Sequence, residues 1–71
     1  MFIIKLKLID KDDTTETIET KYVYDKGGHP YWSNHEASLF STETLAREYI
    51  NNQKNRLLRD YFIKDISYIK I

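Results

Sequence analysis

Between Tyr31 and Asn52 the chain reads YWSNHEASLFSTETLAREYINN, a short aromatic strand, a polar connection and the start of an amphipathic helix. The helix start is the most constrained point. With Ser41 as N-cap, a hydroxyl accepts a hydrogen bond from an orphan backbone N–H of the first turn. Phe40 before the cap and Leu45 at the fourth helical position have the spacing of a hydrophobic staple. Glu43 lies in the first turn, where the helix dipole favours a carboxylate, and stands four residues before Arg47 in the better orientation for an ion pair. Leu45, Ala46, Tyr49, Ile50 and Leu57 recur at helical spacing, with Glu43, Arg47, Glu48, Asn51 and Lys54 opposite, so one face packs and the other is solvated. Asn51 and Asn52 weaken the pattern, and a break is expected between Asn52 and Asp60.

Strand patterns surround this helix. Phe2 to Ile9 alternates with period two, placing Phe2, Ile4, Leu6 and Leu8 on one face and Lys5 and Lys7 on the other. Asp10 to Thr15 has turn composition. Glu16 to Tyr24 is rich in Thr, Val, Ile and Tyr and reads as a second strand, with Ile18, Thr20, Tyr22 and Tyr24 opposite Glu19, Lys21 and Val23. Gly27-Gly28 supplies the positive φ angles of a hairpin turn and returns the chain into a third strand at Tyr31 to Ser33. Tyr61 to Ile71 has strand composition, with Ile66 and Tyr68 on one face and Ile69 and Ile71 on the other, and the alternation leaves open which pair faces the core. The order is β-β-β-α-β. These elements predict an α+β fold: a four-stranded, mostly antiparallel sheet in the order 3-2-1-4 with one helix on one face. A crossover through the helix lays the last strand beside the first and parallel to it. Lys5, Lys7, Glu19, Lys21 and Val23 are then expected on the uncovered face.

At 71 residues there is room for one domain, residues 1–71, and one small core. Without cysteine, neither disulfides nor thiolate metal sites can staple it. The first nine residues are interrupted by Lys5 and Lys7 and lack a small-residue cleavage site, so they read as neither signal peptide nor membrane span. A cytoplasmic protein is expected. The formal net charge is zero, which argues against a chain built mainly for electrostatic binding of duplex nucleic acid. The charges are nonetheless segregated. Asp10, Asp12, Asp13, Glu16 and Glu19 surround Lys11, while Lys54, Arg56 and Arg59 cluster without an acid.

Catalytic and metal motifs fail one by one. Asp10, Asp12, Thr14 and Glu16 copy the opening of a calcium loop, but Thr15 replaces the invariant glycine and Lys21 the closing glutamate. His29, His35 and Glu36 have no regular zinc-ligand spacing. Gly27-Gly28 precedes a strand and so lacks the helix N-terminus of a phosphate cradle. No serine or threonine has the context of an activated nucleophile, and a chain this short seldom encloses a concave site. No enzyme activity, metal or cofactor is expected. Tyr22, Tyr24, Tyr31 and Trp32 invite a base-stacking reading, against which stands the general use of aromatics as burial in small cores.

The pattern YWSNHEASLFSTETLAREYIN, through Trp32, Ala37, Phe40, Ser41, Ala46 and Ile50, resembles small proteins encoded by bacteriophages and prophages. The resemblance covers about a third of the chain and carries no catalytic residues. It implies a small protein of the host bacterial cytoplasm, in a class where known roles are often inhibition of a host enzyme, as in anti-CRISPR and other anti-defence proteins.

The expected function is therefore inhibition or modulation of a host protein by protein–protein contact. The partner is expected to be a nucleic-acid-binding enzyme or defence complex rather than nucleic acid or membrane, and homodimer formation stays open. The acidic hairpin, Asp10, Asp12, Asp13, Glu16 and Glu19, is the candidate surface, because clustered carboxylates can take the place of phosphates in a basic groove. One alternative is a weak nucleic-acid-binding module using Lys5, Lys7 and Lys21 on the open sheet face with Arg56 and Arg59. Another is a small structural phage component, supported by an apolar edge on the last strand.

Overall fold

A computed structural model describes residues Met1–Ile71. In chain order the elements are β1 (Phe2–Asp10), β2 (Ile18–Lys26), β3 (His29–Ser33), α1 (Glu43–Asp60) and β4 (Tyr61–Lys70). They form one four-stranded sheet, β3-β2-β1-β4, in which every neighbouring pair is antiparallel. The α+β class, the element order and the spatial order are those the sequence predicts.

The alternation of β1 sets the core. Ile4, Leu6 and Leu8 are fully buried, and they pack with Val23 of β2 and with Ala46, Ile50 and Leu57 of α1. Around them Trp32, Phe40, Tyr49, Tyr61, Ile63, Ile66 and Tyr68 are partly buried. Gly27 and Gly28 both have positive φ, 61° and 84°, the backbone signature of a two-residue type I′ turn joining β2 to β3. Pro30, which has no N–H to give a ladder, sits on the edge strand β3, where its absence costs least. No helix is long and apolar enough to cross a membrane.

The last strand runs antiparallel to β1, contrary to the parallel crossover expected. The reversal lies in the connection from Asn34 to Thr42. Ser33 ends β3 level with Tyr22, and the chain then turns back, with Ser38 N–H donating to Val23 C=O at 2.8 Å. Phe40 exchanges two backbone hydrogen bonds with Phe2, of 2.7 and 2.8 Å. The ladder between β1 and β2 reaches only to Lys5 and Tyr22, so this segment fills the opening where the strands diverge. The helix thus starts beside the beginning of β1 and ends beside its end, where Lys11 N–H donates to Asp60 C=O at 3.0 Å. From there β4 can only run back, from Tyr61 opposite Asp10 to Lys70 opposite Phe2.

The helix begins one residue later than the cap spacing predicts. Thr42, not Ser41, has extended backbone at the cap, and its hydroxyl accepts from Leu45 N–H at 3.1 Å. Leu45 is consequently exposed, the staple is absent, and Phe40 instead packs on Tyr49 with ring centroids 5.3 Å apart. Nor is there a break after Asn52. The helix continues to Asp60 because Ala46, Ile50 and Leu57 lie on one stripe and are all buried. The asparagines cost only about 0.7 kcal/mol each in helix propensity, less than burying Leu57 contributes.

Register corrects the faces of β2. Leu6 stands opposite Lys21 and Leu8 opposite Glu19, and directly opposed residues share a face. Glu19, Lys21 and Val23 therefore lie on the helix-covered side, and Ile18, Thr20, Tyr22 and Tyr24 on the uncovered side with Lys5 and Lys7. In β4 the pairs Ile4 with Tyr68 and Leu6 with Ile66 place Ile66 and Tyr68 toward the helix. A bulge then takes up Lys64, since Lys7 pairs with Asp65 but Leu8 with Ile63, and this keeps Ile63 on the core side.

Candidate functional site

The five carboxylates of the acidic hairpin have three different occupations. Asp10 and Asp13 build the turn. Asp10 Oδ1 accepts from Asp12 N–H at 2.9 Å. The Asp13 carboxylate accepts from Thr15 N–H at 2.9 Å, the Thr15 hydroxyl at 2.6 Å and Thr17 N–H at 3.2 Å. The Thr15 hydroxyl bond, followed by the backbone N–H bonds, holds the Asp13 carboxyl below its ordinary range. Asp12 and Glu16 are exposed and make no hydrogen bond or ion pair through their carboxylates, with Glu16 placed at the turn by a left-handed backbone, φ 54°. Glu19 is half-buried opposite Leu8, on the other side of the sheet. Burial first, and then the charges of Glu19, Asp10 and Asp60, raise the Tyr61 hydroxyl above its ordinary range. The two free carboxylates of the tip are thus Asp12 and Glu16.

What the sequence pattern did not reveal is an apolar row at the foot of this turn. Ile9 pairs with Ile18 on one side and with Phe62 on the other, so the three side chains lie across the uncovered face. Ile9 is only 6% exposed although no element covers that face, while Ile18 and Phe62 are 56% and 55% exposed. The flanking pair shields Ile9 and is itself presented to solvent. Lys11 Nζ stands 5.3 Å from the centre of the Phe62 ring, a cation–π contact. A shallow groove of about 500 Å³ runs from Phe62 to the turn, lined also by Asp10, Asp13 and Glu16. No local signal in the sequence marks this row: simple alternation from Ile66 puts Phe62 rather than Ile63 on the core side, and only the bulge that takes up Lys64 in the paired strands reverses this.

No protein-family model, curated protein or solved structure matches the chain.

No three His, Asp or Glu side chains converge on a metal-holding position, so the calcium-like spacing from Asp10 to Glu16 and the pair His29 and His35 gain no support. The residues named for nucleic-acid binding are divided by the sheet. Lys5 and Lys7 are on the uncovered face, whereas Lys21 lies on the helix side. Arg56 and Arg59, with His29, Pro30 and Trp32, line a recess beside the helix. Trp32 packs against the core and leaves the tyrosine cluster. Tyr22, Tyr24 and Tyr31 remain together on the uncovered face, Tyr24 directly opposite Tyr31.

Proposed function

We propose that the protein works by binding a partner protein at the corner formed by the Ile9 row and the acidic turn. The observation that supports this reading is the exposure of Ile18 and Phe62, two large apolar side chains on either side of a buried isoleucine. Scattered exposed apolar residues are ordinary, but a row beside a groove has the composition of an interface centre. Asp12 and Glu16 are free at its rim, and such charges steer an encounter and select a basic partner more than they hold the complex. An interface of about 800 Å² on this side would take about a sixth of the 4852 Å² surface.

The partner class that fits is a protein with an apolar patch bordered by lysine or arginine, such as the edge of a nucleic-acid-binding groove. In this reading the chain belongs with small phage-encoded inhibitors of host proteins, anti-defence proteins among them. Capture from a bacterial lysate tests it, comparing wild type with Ile18→Ser and with Asp12→Asn/Glu16→Gln. Asp12 and Glu16 are solvated positions where substitution changes stability by less than about 0.5 kcal/mol, and because Ile18→Ser also uncovers Ile9, its fold is checked by circular dichroism before capture. A partner retained by wild type and lost by Ile18→Ser supports the corner. Equal retention by both variants contradicts it.

A further inference from the structure

The opposite end of the uncovered face has a different chemistry. Tyr22 and Tyr24 of β2 and Tyr31 of β3 lie there with Lys5 and Lys7, because Lys5 pairs with Tyr22 and Tyr24 with Tyr31. Tyr31 is 49% exposed, and the His29 ring leans against it with centroids 5.5 Å apart. The tyrosines of this protein divide into two sets. Tyr49, Tyr61 and Tyr68 pack against the core. Tyr22 and Tyr24, half-buried, and Tyr31, exposed, stand on the face opposite the helix, and the one tyrosine hydroxyl hydrogen-bonded within the protein is that of Tyr49.

Charge tells which partner this end suits. By register, Lys5, Lys7 and Lys26 share the face with Asp65, which stands opposite Lys7, and Glu36 of the following loop borders Tyr24 and Tyr31, so three lysines stand against two carboxylates. A chain of zero net charge therefore turns a cationic, aromatic surface outward here. Open antiparallel sheets with this composition suit unpaired bases, which stack on aromatic rings while lysines take the phosphates. Paired bases have no free face to stack, so a duplex gives these rings less to hold than a single strand does. We infer that the tyrosine end of the uncovered face binds single-stranded nucleic acid, with bases on Tyr24, Tyr31 and Tyr22 and phosphates on Lys5 and Lys7. This goes beyond the protein-binding corner and uses none of its residues. The two together would let the chain sit on a protein and on the strand that protein holds.

Fluorescence anisotropy with labelled DNA and RNA single strands of about 10 nucleotides, within the usual site sizes, tests the inference at about 50 mM salt. Saturable binding by wild type is expected, with the DNA and RNA arms showing which sugar is preferred. Tyr24→Ala/Tyr31→Ala should weaken Kd about 10-fold or more, since each stacked base contributes between about 5-fold and 150-fold. Tyr31→Phe should keep wild-type affinity. Lys7→Gln should reduce the salt slope by about 0.7, and Lys54→Gln, the same charge change on the helix, should not. Should the double variant lose its fold, Tyr31→Ser on the edge strand makes the same comparison, with weakening of about 5-fold expected. The inference is overturned if wild type binds no single strand, if a duplex of the same length competes equally, or if folded tyrosine variants bind as wild type. It is also overturned if a captured protein, and no oligonucleotide, protects this end of the face from hydrogen exchange.

Discussion

The hydroxyl of Tyr49 donates a 2.7 Å hydrogen bond to Asp25 Oδ2 and ties the helix to the second strand. The other oxygen of the same carboxylate accepts from Gly28 N–H at 2.7 Å, and Asp25 N–H donates to the Ser38 hydroxyl at 2.7 Å. One aspartate thereby joins the helix, the glycine turn and the segment that fills the gap between β1 and β2.

Replacing Tyr49 by Phe should cost about 1 kcal/mol, the scale of a partly exposed hydrogen bond to a charged group. Burial, followed by the bond to Asp25 and its charge, raises the Tyr49 hydroxyl well above the ordinary value of 10.0. A raised folded-state pKa means stabilisation that is complete below pH 10 and is lost as pH climbs beyond it. Thermal melts should therefore separate wild type from Tyr49→Phe most clearly near neutrality. The gap should close in strong alkali.

At the helix start, Thr42→Ala should cost about 1 kcal/mol by removing the acceptor for Leu45 N–H. In a domain of this size that lowers Tm by about 4–8 °C. Ser41→Ala should leave Tm nearly unchanged. A larger drop for Ser41 than for Thr42 would return the cap to the position that sequence spacing favours.

Both the successes and the failures of the sequence reading follow from the range over which each signal acts. Alternation in Phe2–Asp10 and the positive-φ glycines are local signals, and both carried through to the structure. The cap falls one residue later than the spacing predicts because Ser41 and Thr42 are both competent acceptors, and Phe40, held to Phe2 by two backbone hydrogen bonds and packed on Tyr49, is placed by contacts distant in sequence. The faces of β2 depend on register with β1, which the loop from Lys11 to Thr17 settles through its own Asp13 hydrogen bonds rather than through a recognisable turn type. The direction of β4 depends on a backbone pairing of Phe2 with Phe40 that has no side-chain signature. Of the acidic hairpin, composition revealed the charge but not which carboxylates the turn consumes. The row of Ile18, Ile9 and Phe62 required the bulge at Lys64 to be known.

The corrected register has a direct consequence for stability. Val23→Ala should cost about 2 kcal/mol, through lost burial and an unfilled space in the buried cluster it shares with β1 and the helix. Thr20→Ala, on the uncovered face, should change stability by less than about 0.5 kcal/mol. Ile4→Ala and Leu6→Ala should each cost roughly 2–5 kcal/mol, a large part of the stability of so small a domain, whereas Lys7→Ala should be nearly neutral. Equal effects at Val23 and Thr20 in urea titrations would mean that β2 is turned over.

Asp13 sets an acid limit of known sign. Its folded-state pKa is depressed below the ordinary 3.8, so its contribution is present above that value and is lost as pH falls through the depressed one. Stability of the wild type should decline across that window. Asp13→Asn, which carries no titratable group there, should show a shallower decline in the same melts.

The central claim is that Ile18 and Phe62 hold a partner protein and that Asp12 and Glu16 guide it in. Association and dissociation rates with the captured partner, measured by surface plasmon resonance across a salt series, separate the two roles. Asp12→Asn/Glu16→Gln should lower the association rate, remove most of its salt dependence and leave dissociation unchanged, since the carboxylates act at the rim. Ile18→Ser should leave association within about threefold and speed dissociation by about tenfold or more, as loss of a central apolar anchor does. Dissociation unchanged by Ile18→Ser, with association insensitive to salt in the wild type, would contradict the account.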